Sequence, residues 1–441
     1  MSATPEVTVS SSTPQPASRR SWRDSFSALS VRNFRLFAGA NILAMTATWM
    51  QRIAQDWLVL QLTGSVADVG MTVAMQFGPM LVLGLYGGVI VDRYSKRKLL
   101  MLTQGTAGVL SAVLALLTLT GTATVWAVWA TALGIGLATV VDNPARQVFV
   151  NELVGPAHLR NAITINSGVF QLGGLVGPAV SGALIAAIGG GFAFAVNALA
   201  CGVTVVMLTR LDRSALTPIP PTPRGKGQLK EGVQYAAARP AIRWPIVLVG
   251  FLAVFTITMP VLLASYAKQV FDQGAAGYGL FNSLVAGGAL VGAILTTRRT
   301  VIRLRSVIVC GGIWAALQAV AALMPSEVAF GIALVGIGIA NQFFFMAANP
   351  LIQTTSSTRV RGRVMAVWIL VLLGGQGIGG PVMGWIVDAV GPRDAMFLSG
   401  AVPALAAVGI ALVIARQGAL KLAVHWRTPL SPFAIERRGT A

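Results

Sequence analysis

The sequence predicts an all-α integral membrane protein: twelve transmembrane helices in two six-helix bundles. Three observations carry that prediction. Of 441 residues, 55% are hydrophobic and only 11% charged, against about 25% charged in a soluble domain. The apolar residues gather in twelve long runs. Once those runs are taken as spans, nearly every cation falls on one side of the membrane. A span takes about 20 apolar residues. The composition, with a mean hydropathy of +0.73, therefore supplies about twelve and excludes a soluble globular enzyme.

Residues 1–33 are rich in Ser, Thr and Pro with scattered arginines (Arg19, Arg20, Arg23, Arg32). They lack the short apolar core and cleavage site of a secretory signal, and read as a disordered cytoplasmic tail. The apolar runs follow at about 34–62, 67–91, 99–119, 125–150, 161–188 and 190–210, then 245–269, 277–297, 305–324, 327–350, 363–388 and 394–415. They are too long and too continuously apolar for barrel strands. Helices are the other structure whose backbone amides are satisfied inside a bilayer. Residues 34–210 and 245–415 are thus two six-helix bundles, and 416–441 a second cytoplasmic tail.

The longest internal loop, 211–244, holds Pro218, Pro220, Pro221 and Pro223 and then a helical stretch, Gln228–Arg239. It reads as a linker with a short amphipathic helix at the cytoplasmic face, or as a plain disordered linker. Of the 33 Lys and Arg, all but Arg52, Lys268 and Arg393 fall in the tails and alternate loops on one side. The positive-inside rule then puts both termini in the cytoplasm. A pI near 11.4 therefore reports membrane orientation, and nucleic acid is not an expected partner.

Other chemistries leave no trace. Cys201 and Cys310 lie in or beside apolar runs, and His158 and His425 lie outside them, with no disulfide or metal spacing. Gly225-Lys226-Gly227 lacks the spacing of a P-loop, so the chain carries no evident ATP motor. Gly375-Gln376-Gly377-Ile378-Gly379-Gly380 satisfies G-x-G-x-x-G but lies in mid-span with no strand before it. No cofactor or metal is expected.

The halves repeat. Gly88-Val89-Ile90-Val91 parallels Gly292-Ala293-Ile294-Leu295, and Asn143-Pro144 parallels Asn349-Pro350. Gly177-Pro178 parallels Gly380-Pro381, and Gly182 parallels Gly384. Matches at nearly constant offset in the same helix of each half point to a tandem six-plus-six transporter, with the substrate path between the halves.

The loop after the second run reads Gly88-Val89-Ile90-Val91-Asp92-Arg93-Tyr94-Ser95-Lys96-Arg97-Lys98. It resembles the signature loop of the major facilitator superfamily, G-x-x-x-D-R-x-G-R-[RK], with Ser95 at the usual Gly. The resemblance implies a cytoplasmic charge latch of Asp92, Arg93 and Arg97, with Asp142 and Arg146 as partners. The other reading is that these cations only set topology. Gly173-x-x-x-Gly177-Pro178-x-x-Ser181-Gly182 is similar to the fifth-helix motif of drug–proton antiporters, with Ser181 for one Gly. Gly177, Pro178 and Gly182, with Gly380, Pro381 and Gly384, then bend helices and let them approach closely. In the fourth helix, Ala130-Thr131-Ala132-Leu133-Gly134 lacks the Arg that antiporters often carry. Asp142-Asn143-Pro144-Ala145-Arg146-Gln147 and Met50–Val59 instead resemble the branch of enterobactin exporters and macrolide efflux proteins. The likeness spans residues 30–415.

Within the first run, Arg52 and Asp56 lie four apart, on one helical face, beside Gln51 and Gln55. Charges inside a membrane mark transport paths by default. Asp56, paired with Arg52, is expected to respond to protons or bind substrate; a static brace, or contact with external water, is the alternative. Gln76, Asn166, Gln171, Asn341, Gln342 and Gln376, with Trp49, Phe343, Phe344, Phe345 and Trp368, are possible cavity or packing residues. Asn341, Gln342 and Phe345 are the strongest cavity candidates, because the resemblance puts the tenth helix on the central cavity.

The expected function is secondary active export of an amphipathic small molecule by alternating access, in a bacterial inner membrane, with protons as coupling ion. The partners are substrate, protons and the lipid bilayer. A lipid or lysolipid flippase of the same fold and a non-transporting scaffold or sensor are the rival readings.

Overall fold

The computed structural model describes residues 24–217, 228–296, 303–357, 360–417, 420–424 and 433–437. Arg19, Arg20, Arg23, Arg298, Arg299 and Arg359 lie outside them, as do most of the segments read as tails. The segment read as an N-terminal tail is already structured at Asp24–Ser30, a 3₁₀ helix whose Ala28 amide donates to Asn161 at 2.9 Å.

The chain runs through α1 (Arg32–Thr63), α2 (Val66–Arg93), α3 (Lys96–Leu119), α4 (Val125–Gly155), α5 (Ala157–Ile188) and α6 (Gly190–Thr209). The short α7 (Gln228–Ala238) follows in the linker. Then come α8 (Pro240–Val270), α9 (Gly274–Thr296), α10 (Leu304–Ala321), α11 (Glu327–Thr355), α12 (Arg361–Val390) and α13 (Pro392–Gln417). A two-stranded hairpin, β1 (Leu420–Val424) with β2 (Phe433–Arg437), closes the described chain.

Eleven of the described helices are long and apolar enough to cross a membrane. The twelfth span is α1, whose 32 residues suffice in length but include Arg52 and Asp56. These helices tell apart two faces of the molecule. The terminal face carries residues 24–30, the α2–α3 turn and both ends of the linker. The distal face carries the α1–α2, α3–α4, α8–α9 and α12–α13 turns.

Local chemistry sets the element ends. Ser65, Thr124 and Ser326 cap α2, α4 and α11 through their side-chain oxygens. α4 and α5 meet at Gly155, with φ 63° and ψ −177°, a backbone shape that favours glycine. α8 contains two π-turns, Leu252–Thr256 and Tyr266–Val270, and a break before Pro260, which has no amide to donate.

Lipid offers little hydrophobic force between helices, so close approach of small residues does the packing. A Cβ on Gly182 would fall 2.8 Å from the Gly279 Cα, joining α5 to α9. A Cβ on Gly384 would fall 2.6 Å from the Val66 carbonyl oxygen, joining α12 to α2. The fifth helix of each half thus packs against the second helix of the other, and the sequence repeat appears as a two-fold arrangement of joints. Helices α5 and α12 continue through Pro178 and Pro381 without a break.

Candidate functional site

Asp56 sits two turns from the distal end of α1 and is 3% exposed. Its Oδ2 accepts a hydrogen bond from the hydroxyl of Tyr278 on α9, 3.1 Å away. Its Oδ1 is buried without a hydrogen-bond partner. Tyr278 is itself fully buried and stacks on Trp57 with ring centroids 6.0 Å apart. The carboxylate therefore stands at the joint between bundles, with one neutral donor from the opposite half.

Arg52 does not close an ion pair with it, contrary to the expectation from spacing. Its guanidinium lies over the rings of Trp49 (5.2 Å) and Phe77 (4.9 Å). One helical turn brings two side chains to the same face but does not choose their rotamers, and two aromatic faces hold this cation. Trp49 in turn meets Phe170 of α5 edge-on at 5.8 Å.

The neighbouring glutamines point elsewhere. Gln51 accepts from Ser111 (2.7 Å) and Asn197, which tie α1 to α3 and α6. Gln55 accepts from Gln76 of α2 at 3.2 Å. Both belong to polar networks inside the first bundle, not to a cluster around Asp56.

Further hydrogen bonds cross between the bundles around this joint. The Lys268 ammonium donates to the Leu60 carbonyl at 2.8 Å, at the C-terminal end of α1, where a cation suits the helix dipole. Ser283 donates to the Leu175 carbonyl at 3.3 Å. Asp388 of α12 accepts from Ser65, Val66 and Ala67 at the start of α2. Sequence reasoning missed Tyr278, Lys268 and Asp388 as site residues. Lys268 did carry a signal, as one of three cations off the basic side.

Nearer the terminal face lies a second buried charge cluster. Asp142 and Arg146 form an ion pair at 2.9 Å, both under a tenth exposed. Thr103 (2.8 Å) and Gln104 (2.9 Å) donate to the other carboxylate oxygen of Asp142. Arg146 also donates to Asn41 (2.6 Å), which donates to Asn166 (2.8 Å). The cluster knits α1, α3, α4 and α5 together.

Arg97, expected to reach Asp142, instead donates to the carbonyls of Leu208 (2.6 Å) and Thr209 (2.9 Å) at the end of α6. Those carbonyls have no partner within their own helix, and they lie beside the start of α3. Lys96 pairs with Glu152 at 3.5 Å. Arg93 is exposed and Asp92 half-buried at the end of α2.

The tenth-span candidates separate. Phe345 packs with Trp314 (6.0 Å), Phe344 (5.4 Å) and Trp368 (6.4 Å) in an aromatic cluster inside the second bundle. Gln342 faces α9, where a Cβ on Gly292 would lie 2.9 Å from its own Cβ. Asn341 is half-buried. Phe344 and Trp368 are buried core, not cavity wall.

Residues 23–440 match the transmembrane secretion effector family. The chain is 26% identical over 391 residues to the enterobactin exporter EntS of Salmonella typhi, covering 87% of this chain and 92% of that protein. The counterpart from Escherichia coli O1:K1 / APEC gives the same figures of identity and coverage. Among solved structures, a bacterial homolog to the human lysosomal transporter Spinster, inward-facing and unoccupied, superposes with TM-score 0.68 at 16% identity, covering 90% of this chain and 98% of that one. A POT family transporter in complex with a thioalcohol conjugated peptide superposes with TM-score 0.71 at 13% identity, covering 88% and 96%. At such identity the likeness of structure establishes the fold.

Proposed function

Since the chain belongs to the transmembrane secretion effector family, whose fold is that of major facilitator transporters, we propose that it exports an amphipathic small molecule by proton-coupled alternating access. The observation that carries this reading is the Asp56–Tyr278 contact: a buried carboxylate with an unpartnered oxygen, at the boundary the two bundles must open. A charge there is costly unless it is neutralised or used. Proton exchange at Asp56 would change the cost of keeping the joint closed. In this reading the terminal face, where the basic loops gather, lies in the cytoplasm of a bacterial inner membrane. The described cross-bundle hydrogen bonds lie from mid-span to the distal face, which is what a path closed outward and approached from the cytoplasm requires. The Asp142–Arg146 cluster and Arg97 hold the first bundle rigid beneath that path.

The test reconstitutes the protein in liposomes and follows efflux of enterobactin as the first probe, with a labelled phospholipid as contrast. Wild type is expected to move the first probe faster under a proton gradient. Asp56→Asn is expected to lose the response to the gradient while still exchanging substrate downhill. An unchanged response in the folded variant would remove Asp56 from coupling, and phospholipid movement alone would make the protein a flippase.

A further inference from the structure

We propose that Asp388 is a gate residue for transport: from α12 it caps the N-terminus of α2 in the opposite bundle and so holds the distal face closed. The inference rests on the alternating-access reading.

A helix leaves its first amides without internal partners and carries a partial positive charge there. At α2 the Asp68 amide goes to Ser65 Oγ at 3.2 Å, the helix's own cap. The two amides before it, the first of the helix, are satisfied from the other half. Val66 donates to Asp388 Oδ1 at 3.1 Å and Ala67 to Oδ2 at 2.9 Å, while the Ser65 hydroxyl donates to Oδ2 at 2.9 Å. One carboxylate thus fills three donors across the bundle boundary.

Beneath it runs a close-packed glycine seam. A Cβ on Gly384 would come 2.6 Å from the Val66 carbonyl oxygen, and one on Gly70 would come 2.1 Å from that of Gly380. The seam aligns α12 with α2, and Asp388 latches its distal end. Asp388 is exposed, so when the bundles part, water takes over every bond it breaks. Such a latch biases an equilibrium without freezing it.

The repeat supplies a control. Gly182 in α5 corresponds to Gly384, which places Ala186 where Asp388 stands in the other half. The α5–α9 joint closes with no carboxylate at that position. The fold therefore does not need an acid there, and Asp388 makes the two joints unequal.

The test places spin labels at Thr122→Cys and Pro325→Cys, on exposed distal turns of opposite bundles, and a second pair at Ser95→Cys and Arg361→Cys on the terminal face. Cys201 and Cys310 are replaced by alanine. Pulsed dipolar distances in liposomes then report the ratio of distal-open to distal-closed molecules. Asp388→Ala is expected to raise that ratio about tenfold, and Asp388→Asn, which keeps the shape and one accepting oxygen, about threefold, at unchanged melting temperature. An unchanged ratio in a folded variant overturns the gate. If the alanine variant does not fold, the asparagine variant decides by the same criterion. If neither face ever opens, in wild type or variant, alternating access fails and the gate with it.

Discussion

The hydroxyl of Tyr278 on α9 donates to the carboxylate of Asp56 on α1 at 3.1 Å, so the acidic side chain of α1 is tied to the opposite bundle. If the two act as one unit in transport, their effects are not additive. Asp56→Asn and Tyr278→Phe are each expected to slow export. The double variant should be little worse than the slower single one, a coupling of about 1 kcal/mol or more. Rates of the four proteins at one gradient measure it, and independent effects would separate the pair.

The Asp142–Arg146 pair is buried and fully engaged, which sets a different expectation. Arg146→Ala strands a buried carboxylate and should destabilise the first bundle by about 3–5 kcal/mol. Asp142→Asn with Arg146→Met removes both charges and should cost distinctly less. Thermal unfolding in detergent ranks the two, and an equal loss would mean that the pair acts by packing alone.

The glycine seam yields a steric prediction. Gly70→Ala puts a methyl 2.1 Å from the Gly380 carbonyl oxygen, so α2 and α12 must separate. Export should fall more than tenfold. Gly39, Gly105 and Gly202 have nothing within 4 Å of a built Cβ. Alanine there should leave export intact and stabilise the helix by up to about 1 kcal/mol. Similar losses at all four positions would show that the seam has no special role.

The strap after α6 has a pH dependence of fixed sign. Ser214 donates its hydroxyl (2.7 Å) and its amide (2.9 Å) to Asp212, and these bonds hold the Asp212 carboxyl below the usual carboxylate range. A carboxyl depressed by folding contributes order above its ordinary value of about 3.9 and loses it as pH falls through the lowered one. Hydrogen exchange across 211–217, corrected for intrinsic rates, should be flat from neutral pH to about 5 and rise below about 4. Ser214→Ala should move that rise to higher pH. A profile indifferent to the substitution would detach Ser214 from the titration.

The linker helix α7 is fastened to the second bundle by an ion pair between Glu231 and Arg363 and by the Tyr235 hydroxyl, which accepts from the Ser357 amide at 3.0 Å. Glu231 is half exposed, so the pair is worth at most about 1 kcal/mol. Glu231→Gln should raise protease cleavage within 228–238 and leave the melting temperature within a degree or two. A large fall in melting temperature would mean that α7 helps hold the second bundle together.

The spans, the repeat and the gathering of cations on one face were legible in the chain. Length, apolarity and loop charge are local properties, and a bilayer requires each of them helix by helix. Asp56 was legible too, because a carboxylate inside an apolar run stands out. Its partner was not: Tyr278 is one tyrosine in an apolar stretch, and 222 residues separate the two.

Rotation of each helix about its axis was the property only the tertiary structure decided. In a span that is apolar on every side, hydropathy does not say which face meets lipid and which meets protein. That is why Phe345 turned to the bundle interior; Arg52 went to aromatic rings by its choice of rotamer, and Arg97 to helix-end carbonyls that only the fold brings beside it. It is also why Asp388 drew no notice as a site residue until α12 was seen against α2. The sequence by itself determined how many helices cross and which ends carry charge; packing between helices decided which side chains meet.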